Sequence, residues 1–258
     1  MLLRKLIKHV REQSWTAIAI DFLIVVLGVF VGMQVNNWNE SRLEAQRAYG
    51  YLARINADLG SDIQAAERRV AYWNKVVRYG HAAIAYAEEG KLSRESRWQT
   101  VLAFYQASQV APYRSEDTTY RELLNAGDLG LIRNEKLRDA LAKYYVTGVG
   151  PSNYYILQLV PEYRTNVRGH TPSRVSRYIW THCFSPSTGA QLETLLDCES
   201  PLSDAEAQAV LDSYLALPDL LPDLRFWITT QESGVDILGG IRSEAEALAQ
   251  QVRDELGQ

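Results

Sequence analysis

The sequence predicts an all-α protein in which one N-terminal transmembrane helix is followed by an extracytoplasmic helical bundle. An apolar run near the start of the chain is long enough for a span, and apolar residues recur afterwards at intervals of three and four. No strand-like alternation lasts more than a few residues. Hydrophobic residues make up 47% of the chain and charged residues 22%, which is typical of a folded globular protein.

The apolar run lies between Trp15 and Trp38 and contains a single acid, Asp21. A helix over residues 16–37 rises about 1.5 Å per residue, so it can cross a hydrocarbon layer of about 30 Å. Indole rings favour the membrane interfaces, so we expect Trp15 and Trp38 to be interfacial anchors of a transmembrane helix over residues 15–38. The length of the run, its acid and the lack of an A-x-A-like cleavage site argue against the alternative, a cleaved signal peptide.

The distribution of charge predicts the orientation of this span. Four bases lie within the first eleven residues, whereas no base follows the span until Arg42. By the positive-inside rule we expect a bacterial inner-membrane protein, with residues 1–14 as a cytoplasmic basic amphipathic segment and residues 39–258 as a periplasmic helical domain. The net charge is −4 although several bases precede the span, so the outer part is more acidic still, which argues against nucleic acid as a partner.

The spacing of apolar residues predicts that the span continues outward as one helix to about Glu89, since no proline occurs before Pro112. One face of this helix is expected to be buried, because its apolar residues recur at steps of three and four. These residues are Leu52, Ile55, Leu59, Ile63, Ala66, Val70, Trp73 and Val77.

Caps and breaks divide the rest of the chain into further helices. We expect Gly127 to end one helix, Asn134 to cap the next, and Ser203 to begin a capping box with the acid three residues later. Pro161 is expected to kink a helix, and residues 168–202 are expected to be the least regular part. The predicted helices cover residues 93–109, 117–126, 135–146, 152–167, 203–217 and 223–256.

Cys183 and Cys198 are the two cysteines of the chain, and they lie close together in the predicted periplasmic part. In an oxidising compartment such a pair is more typical of a disulfide than of a metal or redox site. His182 adjoins Cys183, but no CxxC or HxxxH spacing accompanies it, so we expect no metal and no cofactor.

Two segments, LGVFVGMQVNNWNE (residues 27–40) and TTYRELLNAGDLGLIRNEKLRDALAKYY (residues 118–145), resemble a family of uncharacterised bacterial single-pass membrane proteins. In that family a basic N-terminus precedes a span with a GLQVNNWNE-like ending, and a helical periplasmic region follows. Met33 stands where the family usually has leucine. The resemblance covers about residues 1–145 and implies the same topology. Because the family has no established activity, it implies no catalytic or cofactor-binding residues.

Asp21, Gly28 and Gly32 fall on one face of the predicted span, since their spacings are close to whole helical turns. An acid within a span usually faces protein or water, and a GxxxG pattern lets two helices approach closely. We therefore expect this face to pack on another integral membrane protein or on a second copy of the chain. In the alternative interpretation, Asp21 reaches the cytoplasmic interface and the glycines are incidental.

Aromatic residues cluster around one predicted helix–helix turn of the outer domain, and two more follow further on. They can line a ligand pocket or a partner surface, but we expect them to belong mainly to the core and its rim. They are Tyr144, Tyr145, Tyr154, Tyr155, Tyr163, Tyr178 and Trp180.

The sequence contains no Gly-rich phosphate loop, no HExxH or GxSxG motif and no spacing that selects a catalytic triad. We therefore expect no catalytic residues. The leading hypothesis is a non-enzymatic accessory or scaffold subunit that docks to a larger membrane protein complex. The alternative hypothesis is a periplasmic ligand-binding sensor or chaperone-like module anchored to the inner membrane.

Overall fold

The computed structural model describes residues 15–148, 160–186 and 193–257, and it describes side chains from residue 19 onward. These residues are mostly helical and include one antiparallel pair of two-residue strands, so the all-α prediction is confirmed. The predicted cytoplasmic segment, Tyr154, Tyr155 and the side chain of Trp15 lie outside this description. The elements are α1 (Trp15–Glu89), α2 (Arg97–Ala107), α3 (Thr118–Asn125), α4 (Glu135–Ala142), α5 (Glu162–His170), α6 (Ser173–His182), β1 (Phe184–Ser185), β2 (Thr194–Leu195), α7 (Asp204–Leu215) and α8 (Leu220–Leu256).

The chain divides into two compact units, Met1–Gly50 and Tyr51–Gln258. In the first unit, the described residues form the N-terminal portion of α1. Its most apolar stretch has a mean hydropathy of 2.0, and none of that stretch is buried. By length and composition, this helix is suited to serve as a membrane span or as a signal sequence.

In the second unit, the rest of α1 contributes the predicted apolar face to the core. Leu52, Ile55, Leu59, Ala66 and Trp73 are at most 4% exposed. The other three residues of the predicted stripe are partly buried and pack against the core, and they are Ile63, Val70 and Val77. The core has two clusters, and both α1 and α8 supply buried residues to each of them. The first cluster also contains residues of α3 and α4, whereas the second contains residues of α2, α5, α6 and α7.

The predicted helix ends are confirmed at three positions. Gly127 follows α3 in the left-handed conformation, with φ of 73°. The Asn134 side chain accepts a hydrogen bond from the backbone N–H of Leu137 at 3.3 Å and so caps α4. Ser203 and Glu206 form the predicted capping box at the start of α7.

Other parts of the helix assignment are wrong. Pro161 does not kink a helix, because α5 begins directly after it and its fixed φ suits that flanking position. The helix predicted over residues 135–146 changes at Lys143 into a π-helical turn, Lys143–Gly148. The segment 168–202 is more regular than expected, because it contains α6, whose residues Val175 and Ile179 are buried one turn apart.

Candidate functional site

The first candidate site is the predicted packing face of the apolar segment. Asp21, Gly28 and Gly32 all lie within α1 and are exposed. A Cβ atom added at Gly28 or Gly32 would meet nothing within 4 Å, so no described residue covers this face. Trp38, the predicted anchor at the end of the segment, is 67% exposed. The structure therefore leaves these residues free for contact with lipid or protein.

The second candidate site is a pocket of about 310 Å³ in the unit Tyr51–Gln258, which the sequence did not indicate. It lies where α1 meets the 3₁₀ turn Ser93–Glu95 and the residues that follow β2. The lining residues are Lys75, Arg78, Tyr79, Ala82, Ser93, Arg94, Leu195 and Asp197.

One wall of the pocket is formed by α1. Lys75, Arg78, Tyr79 and Ala82 share one side of this helix, since they are spaced by three, four and seven residues. Lys75 is fixed at this wall because its Nζ donates to Thr194 Oγ1 at 3.0 Å and to the carbonyl of Leu195 at 3.2 Å.

The opposite wall depends on the cysteines. Cys183 and Cys198 are paired as a disulfide, with Cα atoms 5.2 Å apart, as the sequence predicts. The carbonyl of Cys198 accepts hydrogen bonds from Trp98 Nε1 at 3.1 Å and from Gln99 Nε2 at 3.3 Å. The disulfide and these bonds hold the chain beside α2, which places Asp197 at the rim of the pocket.

Asp197 is the one acid among the described residues that line the pocket. Its carboxylate accepts from Arg94 Nη1 at 2.9 Å and from the hydroxyl of Tyr79 at 3.3 Å. Burial and the nearby Asp197 raise the pKa of Tyr79 to about 12, so this hydroxyl remains a hydrogen-bond donor at neutral pH.

The pocket is basic although the whole chain is acidic. The described lining includes three cations, Lys75, Arg78 and Arg94, and one carboxylate, that of Asp197. Arg78 makes no ion pair with any described residue. Arg94 and Glu95 adopt φ values of 48° and 57°, a left-handed conformation that L-residues other than glycine seldom adopt. Such strain is more frequent at functional sites than elsewhere.

A buried carboxylate, Asp62, is a further feature that the sequence did not single out. It is 2% exposed and accepts from the backbone N–H of Glu116 at 2.6 Å and from the Tyr144 hydroxyl at 2.8 Å. Burial is the main cause that raises its pKa to about 6. The hydroxyl of Tyr145 is also buried, and it has no hydrogen-bond partner within the described ranges.

Two arginines of α5, Arg164 and Arg168, are partly buried and have no carboxylate partner in the described parts of the chain. Their positive charges are stabilised instead by contacts at the end of α2. Arg164 Nη1 donates to the carbonyl of Ser108 at 2.6 Å, and Arg168 Nε donates to its hydroxyl at 3.0 Å. Ser108 follows the last residue of α2, so both cations lie at the negative end of that helix. Burial lowers the pKa of Arg168 to about 10, so the side chain stays charged at neutral pH. We assign these arginines a structural role.

The predicted aromatic cluster belongs largely to the core. Tyr144, Tyr145 and Tyr163 are at most 7% exposed, whereas Trp180 is 39% exposed and faces the guanidinium of Arg168 at 5.2 Å. Of these aromatic residues, none that the structure describes lines the pocket. No group of three or more His, Cys, Asp or Glu side chains in the described ranges is placed to hold a metal ion.

Comparison with protein-family models, with curated proteins and with solved structures found no match for this chain.

Proposed function

We propose that this chain is a non-enzymatic, single-pass membrane protein that serves as an accessory or scaffold subunit of a larger membrane protein complex. The observation that carries the proposal is the apolar segment of α1. The twelve large hydrophobic side chains between Ile20 and Val35 are 46–69% exposed, and the segment includes an acid and two glycines on one face.

The exposed side chains favour a lipid environment for this segment. Complete burial of a Val, Leu, Ile, Phe or Met side chain is worth about 1.5–3 kcal/mol relative to exposure. With twelve such side chains exposed together, water is a poor surrounding for the helix, and a bilayer is a suitable one. On this proposal the helix remains attached to the mature chain, with its N-terminus in the cytoplasm and the unit Tyr51–Gln258 in the periplasm. A disulfide in that unit fits an oxidising compartment.

The face formed by Asp21, Gly28 and Gly32 is proposed as the docking surface within the membrane. Lipid tails are as apolar as leucine, so helices associate in a bilayer through close packing and polar contacts. Gly28 and Gly32 permit close backbone approach, and Asp21 would meet a polar or basic group of the partner helix. We propose a different integral membrane protein as the partner, and self-association is the other outcome of the test.

The test is purification of the tagged full-length chain from its native membranes in mild detergent, with identification of the proteins that co-purify. Gly28→Leu and Gly32→Leu should push the helices apart and release the partner, while the chain still inserts. Leu23→Ala and Phe30→Ala, on other faces of the helix, are the matched controls and should retain the partner. A chain that always purifies alone would contradict the docking role, and recovery of a second, differently tagged copy alone would show self-association instead.

The basic pocket supports a second candidate function, that of a ligand-binding module anchored to the membrane. Small-molecule sites are concave and contain a few convergent polar groups, and this pocket has both properties. Its volume of about 310 Å³ is at the lower end of the range for such sites.

A further inference from the structure

We propose that the pocket between α1, the turn Ser93–Glu95 and β2 binds a small anion, through a carboxylate or phosphate group held by Arg78 and Arg94. This inference rests on the second candidate function, and docking through the membrane helix does not depend on it.

The charges in the pocket point to an anion. Among the described lining residues, three cationic side chains face one carboxylate, in a chain whose net charge is −4. Positive charges that lie close together repel one another, and a bound anion reduces this repulsion. Arg78 is the side chain best placed for this role, because it lines the pocket and has no ion pair among the described residues. Its guanidinium offers a fork of N–H donors that matches a carboxylate or phosphate.

Asp197 already demonstrates the recognition of a carboxylate in this pocket. Its two oxygens accept from Arg94 at 2.9 Å and from Tyr79 at 3.3 Å. A ligand anion would use the same donors in part, and would therefore compete with Asp197 for Arg94. Removal of the Asp197 charge should consequently strengthen anion binding, which a merely structural ion pair would not do.

Arg94 and Lys75 are held at the pocket by the fold. Arg94 is held by its ion pair with Asp197, and Lys75 is held by its bonds to Thr194 and Leu195. Tyr79, Ala82 and Leu195 supply less polar surface beside the cations. The pocket thus combines fixed positive charge with limited volume, which suits a small organic acid or a phosphorylated compound.

The inference is tested by titration calorimetry of the full-length protein in detergent micelles at constant ionic strength, since salt screens exposed charges. Inorganic phosphate and citrate are the two probes, and they separate phosphate recognition from carboxylate recognition. We expect saturable binding of at least one probe. Arg78→Gln should weaken its binding by about tenfold, the loss of one charge-assisted hydrogen bond.

Arg68→Gln is the matched control, because Arg68 is exposed on the same helix and does not line the pocket. It should leave binding unchanged, and Asp197→Asn should tighten it. The inference is overturned if neither anion binds, if Arg68→Gln weakens binding as much as Arg78→Gln, or if Asp197→Asn weakens it. Binding of uncharged glucose with no binding of either anion would overturn the anion assignment and leave the ligand-binding function in place.

Discussion

Replacement of Asp62 by asparagine should change how the stability of the protein depends on pH. Asp62 is 2% exposed, and its pKa rises from the usual value of 3.8 to about 6, mainly through burial. A carboxyl group with a raised pKa in the folded state stabilises the fold fully only below its unfolded pKa, near 4. That stabilisation is lost as the pH rises through about 6, because the folded protein must then hold a buried charge.

The size of the effect follows from the pKa shift. A rise of about two units corresponds to about 3 kcal/mol of unfolding free energy between pH 4 and pH 7.5. Asparagine has nearly the same shape and cannot ionise, and its Oδ1 can still accept from the backbone N–H of Glu116. The stability of Asp62→Asn relative to the wild type should therefore increase by about 3 kcal/mol as the pH is raised over this range.

The assay is urea unfolding of the full-length protein in detergent, followed by tryptophan fluorescence at several pH values. The difference between variant and wild type removes the contribution of every other titrating group that the two proteins share. Glu67→Gln, at an exposed carboxylate on the same helix, is the control and should show a much smaller pH dependence. A stability difference that stays flat for Asp62→Asn, or that falls as the pH rises, would show that Asp62 does not titrate with a raised pKa in the folded protein.

Two further predictions concern stability. Gly80→Ala should destabilise the fold by about 1–3 kcal/mol, because the added Cβ would overlap the side chain of Ile228. Gly60→Ala is the control, and it should stabilise α1 by up to about 1 kcal/mol because the space around Gly60 is open. Equal urea midpoints for the two variants would contradict this prediction. Cys198→Ser should lower stability by about 3 kcal/mol in unfolding measurements, since the bond to Cys183 closes a loop with a sequence separation of 15. Unreduced wild-type protein should show no reactive thiol, and two reactive thiols would disprove the pairing.

The local features of the fold could be predicted from the sequence, because their causes are local. Helix α1 continues to Glu89 as expected, because apolar residues recur along it and no proline interrupts it. Asn134 and Ser203 cap helices because their side chains bond backbone groups three residues away. Helix α6 was not predicted, because it is short and only Val175 and Ile179 repeat at helical spacing on its buried face.

The pocket could not be predicted, because its residues are distant in sequence and each of them is ordinary in its own segment. Asp197 joins Arg78 and Arg94 only when the disulfide and the pairing of β1 with β2 bring it beside α1. The burial of Asp62, by contrast, could have been predicted from the spacing of the apolar residues around it. Asp62 follows Leu59 by three residues and precedes Ala66 by four, so an acid occupies a position of the buried stripe.

The intact mass of the chain from alkali-washed membranes shows whether the apolar segment is retained as a membrane anchor. We predict that the protein stays with the membranes after the wash and has the mass of a chain that still contains residues 15–38. A soluble protein whose mass shows the loss of this segment would rule out the anchor and identify the segment as a cleaved signal sequence.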